Sequence, residues 1–169
     1  MRIDAGLDTG DMLLKWETPV EPDETAVSLG ERLAVAGAEL LVRTLRDLPR
    51  IQPEPQDGTQ ATYAPILKRE DGRADWSLSA QEILNRIRGF QPWPGYYGFL
   101  RGQRLHVWKA RAAREHFPAG ALRVRNRGLF AGCAGGSIEL LEVQLEGKKR
   151  MPAGAFLNGF TLSEDEVME

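Results

Sequence analysis

The chain has 169 residues, 42% of them hydrophobic and 27% charged, a one-domain length and too apolar a composition for a disordered polypeptide. Its net charge of −2 is unevenly spread: residues 1–51 carry six Lys/Arg against ten Asp/Glu, whereas residues 71–162 stand at +7, a block that suits a polyanion or a solvated face. No apolar run reaches the roughly 18–20 residues of a membrane span, Met1-Arg2-Ile3-Asp4 opens no signal peptide, and Cys133 with only His106 and His116 excludes an internal disulfide and a Cys/His zinc site.

In chain order, an extended piece leads to a turn at Gly6-Leu7-Asp8-Thr9-Gly10. A strand follows over Met12–Trp16, closed by Pro19 and Pro22. The spacing then predicts a long helix, with a capping box at Ser28-Leu29-Gly30-Glu31 or an earlier cap at Thr25. Leu29, Leu33, Ala36, Leu40, Leu41, Thr44 and Leu48 make its apolar stripe, opposite Glu31, Arg32, Glu39, Arg43 and Arg46. Two strands and one helix cannot close a core in fifty residues, so 1–51 reads as the edge of a larger α/β sheet.

Residues 52–70, punctuated by Pro53, Pro55 and Asp57-Gly58, read as a linker. The rest, 71–169, opens with a capping box at Ser79-Ala80-Gln81-Glu82 and a helix over 79–89, ended by Gln91-Pro92-Trp93-Pro94-Gly95. Alternation then predicts strands at Tyr97–Phe99, Arg104–Trp108, Leu122–Arg125, Leu129–Cys133 and Ile138–Leu145, the last the longest. Four or five short strands with one helix predict a small closed barrel of OB-like type. The fold class is therefore α+β.

Leu7-Asp8-Thr9-Gly10 has the form of the aspartic-protease signature, but that chemistry needs a second copy, and the Asp-Gly pairs at 57–58 and 71–72 lack it. As plain structure it is a tight turn in which Asp8 bonds nearby amides. Taken with its neighbours, Asp4-Ala5-Gly6-Leu7-Asp8-Thr9-Gly10-Asp11-Met12-Leu13 resembles the late active-site loop of the folate-dependent formyltransferase family. Ala61-Thr62-Tyr63-Ala64-Pro65, Lys68 to Trp76, Asn85-Arg86-Ile87-Arg88, Pro92-Trp93-Pro94-Gly95, Val107-Trp108-Lys109-Ala110, Gly147-Lys148-Lys149 and Phe156-Leu157-Asn158-Gly159 continue the resemblance in order.

The resemblance implies the methionyl-tRNA-acting branch and a chain corresponding to its C-terminal portion, without the upstream Asn, His and Ser-Leu-Leu-Pro loop. It implies formyl transfer from 10-formyltetrahydrofolate to the methionine amine of initiator methionyl-tRNA, with no metal. Asp8 would be the carboxylate that helps proton transfer and orients the family His, and Gly6 and Asp8 would face the folate. Lacking its oxyanion-stabilising partners, the chain alone is expected to be inactive. Neither a membrane nor an obligate protein partner is implied.

Arg101, Arg104, Lys109, Lys148, Lys149 and Arg150 are the candidate RNA contacts, at strand ends and hairpins where such a barrel tracks phosphates. Trp76, Trp93 and Trp108 read as core or packing residues rather than ligand stackers. Cys133, with no base or cation beside it, reads as inert. Two alternatives stay open: a non-catalytic tRNA- or anion-binding barrel, and part of a sugar-nucleotide formyltransferase.

Overall fold

The computed structural model describes residues 1–169, which divide into two units, Met1–Ile66 and Leu67–Glu169. The first is organised around one helix, α1 (Ala26–Asp47). Thr25 caps it: its Oγ1 accepts from the Ser28 amide at 3.2 Å, and the Ser28 hydroxyl accepts from the Thr25 amide at 3.0 Å. Of the two starts the sequence allows, the earlier is used. Pro49, which has no N–H, ends the α ladder in a 3-10 turn over Leu48–Arg50.

Leu29, Ala36, Leu40 and Thr44 are half-buried along one side of α1. Arg32 ties the helix to the preceding chain, donating to Glu24, the Thr18 hydroxyl and the Pro19 carbonyl. No residue of α1 is buried, and Leu41 and Leu45 are 58% and 63% exposed. The helix forms as the sequence predicts, yet most of its apolar surface meets solvent.

The strand expected over Met12–Trp16 is not formed. It reduces to one antiparallel bridge between Met12 and Glu54, with N–H···O distances of 2.8 and 2.9 Å. On one side the ladder stops because the Gln56 side chain, instead of a backbone amide, takes the Gly10 carbonyl. Pro53 and Pro55 flank Glu54 and confine that segment to an edge.

The second unit holds β1 (Tyr96–Leu100), β2 (Gln103–Ala113), β3 (Leu122–Arg125), β4 (Gly128–Cys133), β5 (Gly136–Leu145) and β6 (Met151–Pro152). Two helices accompany them, α2 (Ala80–Gly89) and α3 (Ala153–Gly159). The strands pair antiparallel in the order β1-β2-β5-β4-β3, with β6 on β5. Ser79 and Glu82 form the expected capping box of α2, which buries Ile83, Leu84 and Ile87. Leu100, Leu105, Val107, Leu122, Leu129, Ile138, Leu140 and Val143 join them in one core, each at most 1% exposed. β2, at 11 residues, exceeds the 10 of β5 that the sequence singled out. α3 is a second helix in this unit where one was expected; at 7 residues, with Gly154, Asn158 and Gly159 in it, it has no legible period.

The expected closed barrel is also corrected, since the path of strands is open and β1 and β3 are its ends. The last residues lie along both ends. The Leu122 amide donates to the Glu166 carbonyl and the Met168 amide to the Gly120 carbonyl, both at 2.8 Å. Phe99 and Glu169 exchange two backbone bonds, at 2.7 and 2.9 Å. Met168 is fully buried, and Gly98 makes room: a Cβ there would meet the Glu169 carbonyl at 2.7 Å. Glu166 is buried too, bonded by Arg101 and by the amide and hydroxyl of Ser163, and the Arg101 guanidinium holds its carboxyl below the usual range. A tail rich in Asp and Glu reads as solvated, which hides this role in the sequence.

Candidate functional site

Residues 4–11 form a braced turn. Asp4 Oδ1 accepts from the Gly6 amide at 3.1 Å and from the Thr9 hydroxyl at 2.7 Å. The Arg2 amide donates to the Asp11 carbonyl at 2.8 Å. Gln56 Nε2 bridges the Asp8 and Gly10 carbonyls at 2.8 and 2.7 Å. Gly10 is required by close approach, because a Cβ there would lie 2.0 Å from the Arg2 carbonyl.

Asp8 sits in this turn at φ +57°, exposed, with a carboxylate that makes no hydrogen bond or ion pair. Such a left-handed non-glycine conformation persists only where surroundings fix it, and Asp tolerates it better than most residues. Asp4 and Gln56 do the fixing. The turn reading of the sequence is therefore right about the turn and wrong about its brace, since Asp4 bonds the local amide. Gly6 is exposed beside Thr9. Gln56 was missed because it lies 46 residues from Gly10, in the stretch read as linker.

The basic candidates separate. Arg101, in the turn after β1, is held by Glu166 and by the Thr161 carbonyl, with its guanidinium 4.9 Å from the Phe160 ring centroid. Arg104 and Arg150 instead belong to the outward face of β1, β2 and β5. There Arg104 lies 4.8 Å from the Tyr97 ring and 5.9 Å from Phe99, and Arg150 lies 5.2 Å from the Trp108 ring while also pairing with Glu142. Lys109, Lys148 and Lys149 are exposed and make no ion pair.

Between these arginines runs a row of rings. Phe99 meets Tyr97 edge-on at 5.9 Å, Tyr97 meets His106 at 5.4 Å, and His106 stacks on Trp108 at 5.7 Å and 17°. Arg73 adds a third guanidinium, 5.7 Å from Phe99. Burial, then Arg104 and Arg69, push the His106 imidazole below its ordinary range, and its Nδ1 is buried without a partner. Trp108 Nε1 donates to Gln144 Oε1 at 3.0 Å, and Gln144 Nε2 donates to the Lys148 carbonyl at 2.9 Å, which ties the Lys148–Lys149 hairpin to the indole.

The three tryptophans read as core or packing residues separate. Trp76 is buried, edge-on to Tyr96 at 6.0 Å, but Trp93 is 56% exposed and Trp108 lies half-buried on the outward face. The signal was the alternation itself: Leu105 and Val107 fill the core, so Arg104, His106 and Trp108 between them must point outward. Cys133 is buried, and burial pushes its thiol up, as its apolar neighbours imply.

The sequence model of the formyl transferase C-terminal domain matches residues 66–161, and that of the formyl transferase domain matches residues 1–45. A methionyl-tRNA formyltransferase of Solibacter usitatus is 56% identical over 99% of this chain and 55% of its own length. One of Koribacter versatilis is 53% identical over 95% of this chain and 52% of its own length. This chain thus spans about half the length of the curated relatives it matches. Among solved structures, the N-formyltransferase of Helicobacter canadensis, in complex with folinic acid and dTDP-3-aminofucose, shares the fold with a TM-score of 0.62 at 17% identity. That match covers 82% of this chain and 52% of the other.

Proposed function

The chain belongs to the formyl transferase family, and from that premise we propose that it is the C-terminal part of a methionyl-tRNA formyltransferase. In this reading the whole enzyme moves a formyl group from 10-formyltetrahydrofolate to the methionine amine of initiator methionyl-tRNA. The observation that carries it is the agreement in order along the chain, formyl transferase domain first and its C-terminal domain second, together with relatives of that name at 53–56% identity over 95–99% of the chain. Residues 1–51 supply the end of the catalytic domain, 52–70 a linker, and 71–169 the C-terminal domain. No helix is long and apolar enough to cross a membrane, and the site of action is taken to be the cytoplasm.

The attacking amine must lose a proton, and the formyl oxygen must carry negative charge in the transition state. Asp8, its carboxylate uncommitted on a braced turn, is the group in this chain that can hold or pass that proton. Gly6 and Asp8 line the approach of the folate, and Lys148, Lys149 and Arg150 take phosphates of the tRNA. His106 and His116 both belong to the second unit, and neither is assigned a catalytic role.

The test is formyl transfer by this chain alone and by a chimera in which the upstream half of the Solibacter usitatus relative precedes it. The chain alone is expected to be inactive and the chimera active, with Asp8→Asn in the chimera lowering turnover by on the order of a hundredfold or more. Full turnover in the Asp8→Asn chimera removes Asp8 from the mechanism. A sugar-nucleotide acceptor is the competing reading, favoured by the fold shared with the Helicobacter canadensis enzyme; a chimera that formylates an amino-sugar nucleotide but not methionyl-tRNA would establish it.

A further inference from the structure

An antiparallel strand with a core under one face carries polar side chains on the other. β1 and β2 break that rule. Their inward residues Tyr96, Leu100, Leu105 and Val107 are each at most 1% exposed, yet their opposite positions hold Phe99, Tyr97, His106 and Trp108 in one row of rings, in which Tyr97 is covered at 6% exposure and the other three are more open. The row is capped by guanidinium groups at Phe99, Tyr97 and Trp108, and it ends beside the unpaired Lys148 and Lys149. A structural ladder needs rings but not a hairpin with two unpaired lysines, whose Lys148 carbonyl is tied through Gln144 to the last ring. Rings interleaved with cations are what an unpaired nucleotide requires, since every base has a π face and every nucleotide a phosphate.

We propose that the outward face of β1, β2 and β5 is a stacking site for an unpaired nucleotide of RNA, with Trp108 as its platform and Lys148, Lys149 and Arg150 as its phosphate anchors. Arg150 covers the indole while it pairs with Glu142. Its side chain is 46% exposed and that of Glu142 is 34% exposed, and an ion pair so open to water is weakly held. A phosphate draws the guanidinium off, and the freed indole face receives the base. His106 stacks on the indole at 5.7 Å, nearly parallel to it at 17°. Burial lowers its proton affinity. Gln144 fixes both parts at once, through the Trp108 indole N–H and the Lys148 carbonyl.

The inference rests on the tRNA reading above but fails separately from it. The full chain is titrated with an eight-nucleotide single-stranded RNA, a blunt duplex of the same sequence, and initiator tRNA, following tryptophan fluorescence across a range of salt. Trp108→Leu keeps an apolar group on the face, and Trp108→Phe keeps a ring. We expect Trp108→Leu to weaken single-strand binding about tenfold with an unchanged salt slope, Trp108→Phe to recover most of it, and duplex binding to ignore both. Lys148→Ala with Lys149→Ala should instead lower the magnitude of the log–log salt slope by about two units on every RNA. Equal affinity of wild type and Trp108→Leu for the single strand overturns the stacking site, whatever tRNA does. A protein that binds no RNA overturns it too, and a protein that binds tRNA through the lysines alone overturns it while leaving the formyltransferase reading intact.

Discussion

Unit Met1–Ile66 and unit Leu67–Glu169 each carry a capped helix with an apolar face, yet only the second has a core. α1 has 22 residues, a reciprocal cap and a broad apolar surface, and none of its residues is buried. α2 has 10 residues and the same type of cap, and it buries Ile83, Leu84 and Ile87 against a sheet. Capping and periodicity decide whether a helix forms; what lies opposite its apolar face decides whether that helix adds stability. The first unit carries the exposed Asp8 turn, and the second carries the closed core with its aromatic and basic face. Chemistry and rigidity are thus divided between them.

The contrast breaks most sharply at Met168. Met168→Ala removes a fully buried side chain from the tail that spans the ends of β1 and β3, and it should destabilise the second unit by about 2–5 kcal/mol. Denaturant unfolding followed by the near-ultraviolet signal of buried Trp76 and Tyr96 measures it. A change below about 1 kcal/mol would mean that the tail merely rests on the sheet.

Glu166→Gln comes next, at about 1–3 kcal/mol for the lost charge-assisted bonds to Arg101. Because the folded protein holds this carboxyl below the ordinary carboxylate range, its contribution is fully present above that range and is lost as pH falls through the lowered value. Wild type should therefore lose its advantage over Glu166→Gln on acidification below about pH 4.5, and thermal melts across that window check the sign. A constant difference between the two proteins would assign the stabilisation to packing.

Leu45→Lys in α1 should cost the least. Leu45 is 63% exposed, and surface changes of this kind stay within about 0.5 kcal/mol. In the chimera with the upstream half of a relative, the same substitution should cost several-fold more, because a sheet then has this face to cover. Equal cost in the two contexts would show that α1 has no further partner.

These differences also explain what the sequence could tell. β3 over Leu122–Arg125 and the Ser79–Glu82 box were legible because local pattern and final structure agree there. The strand at Met12–Trp16 was misread because strand pattern needs a neighbour, and Met12 has only Glu54. The tail was hidden by its acids, although Glu166 is neutralised by an arginine 65 residues away. At the candidate site, the motif singles out Asp8 and includes Asp4, while Gln56, which bonds the Asp8 carbonyl from the stretch read as linker, carries no motif at all. The aromatic row was visible as alternation, but nothing local says that a tryptophan on a strand points outward until the core side is known.

Native-state hydrogen exchange tests the central claim most directly, comparing amides of α1 with those of β4 and β5 in this chain and in the chimera. The account predicts that in this chain α1 exchanges by local opening, many-fold faster than β4 and β5, which exchange only on global unfolding. In the chimera α1 should approach their protection. Protection of α1 equal to that of β5 in this chain alone would contradict the division into a self-sufficient second unit and a helix without a buried face.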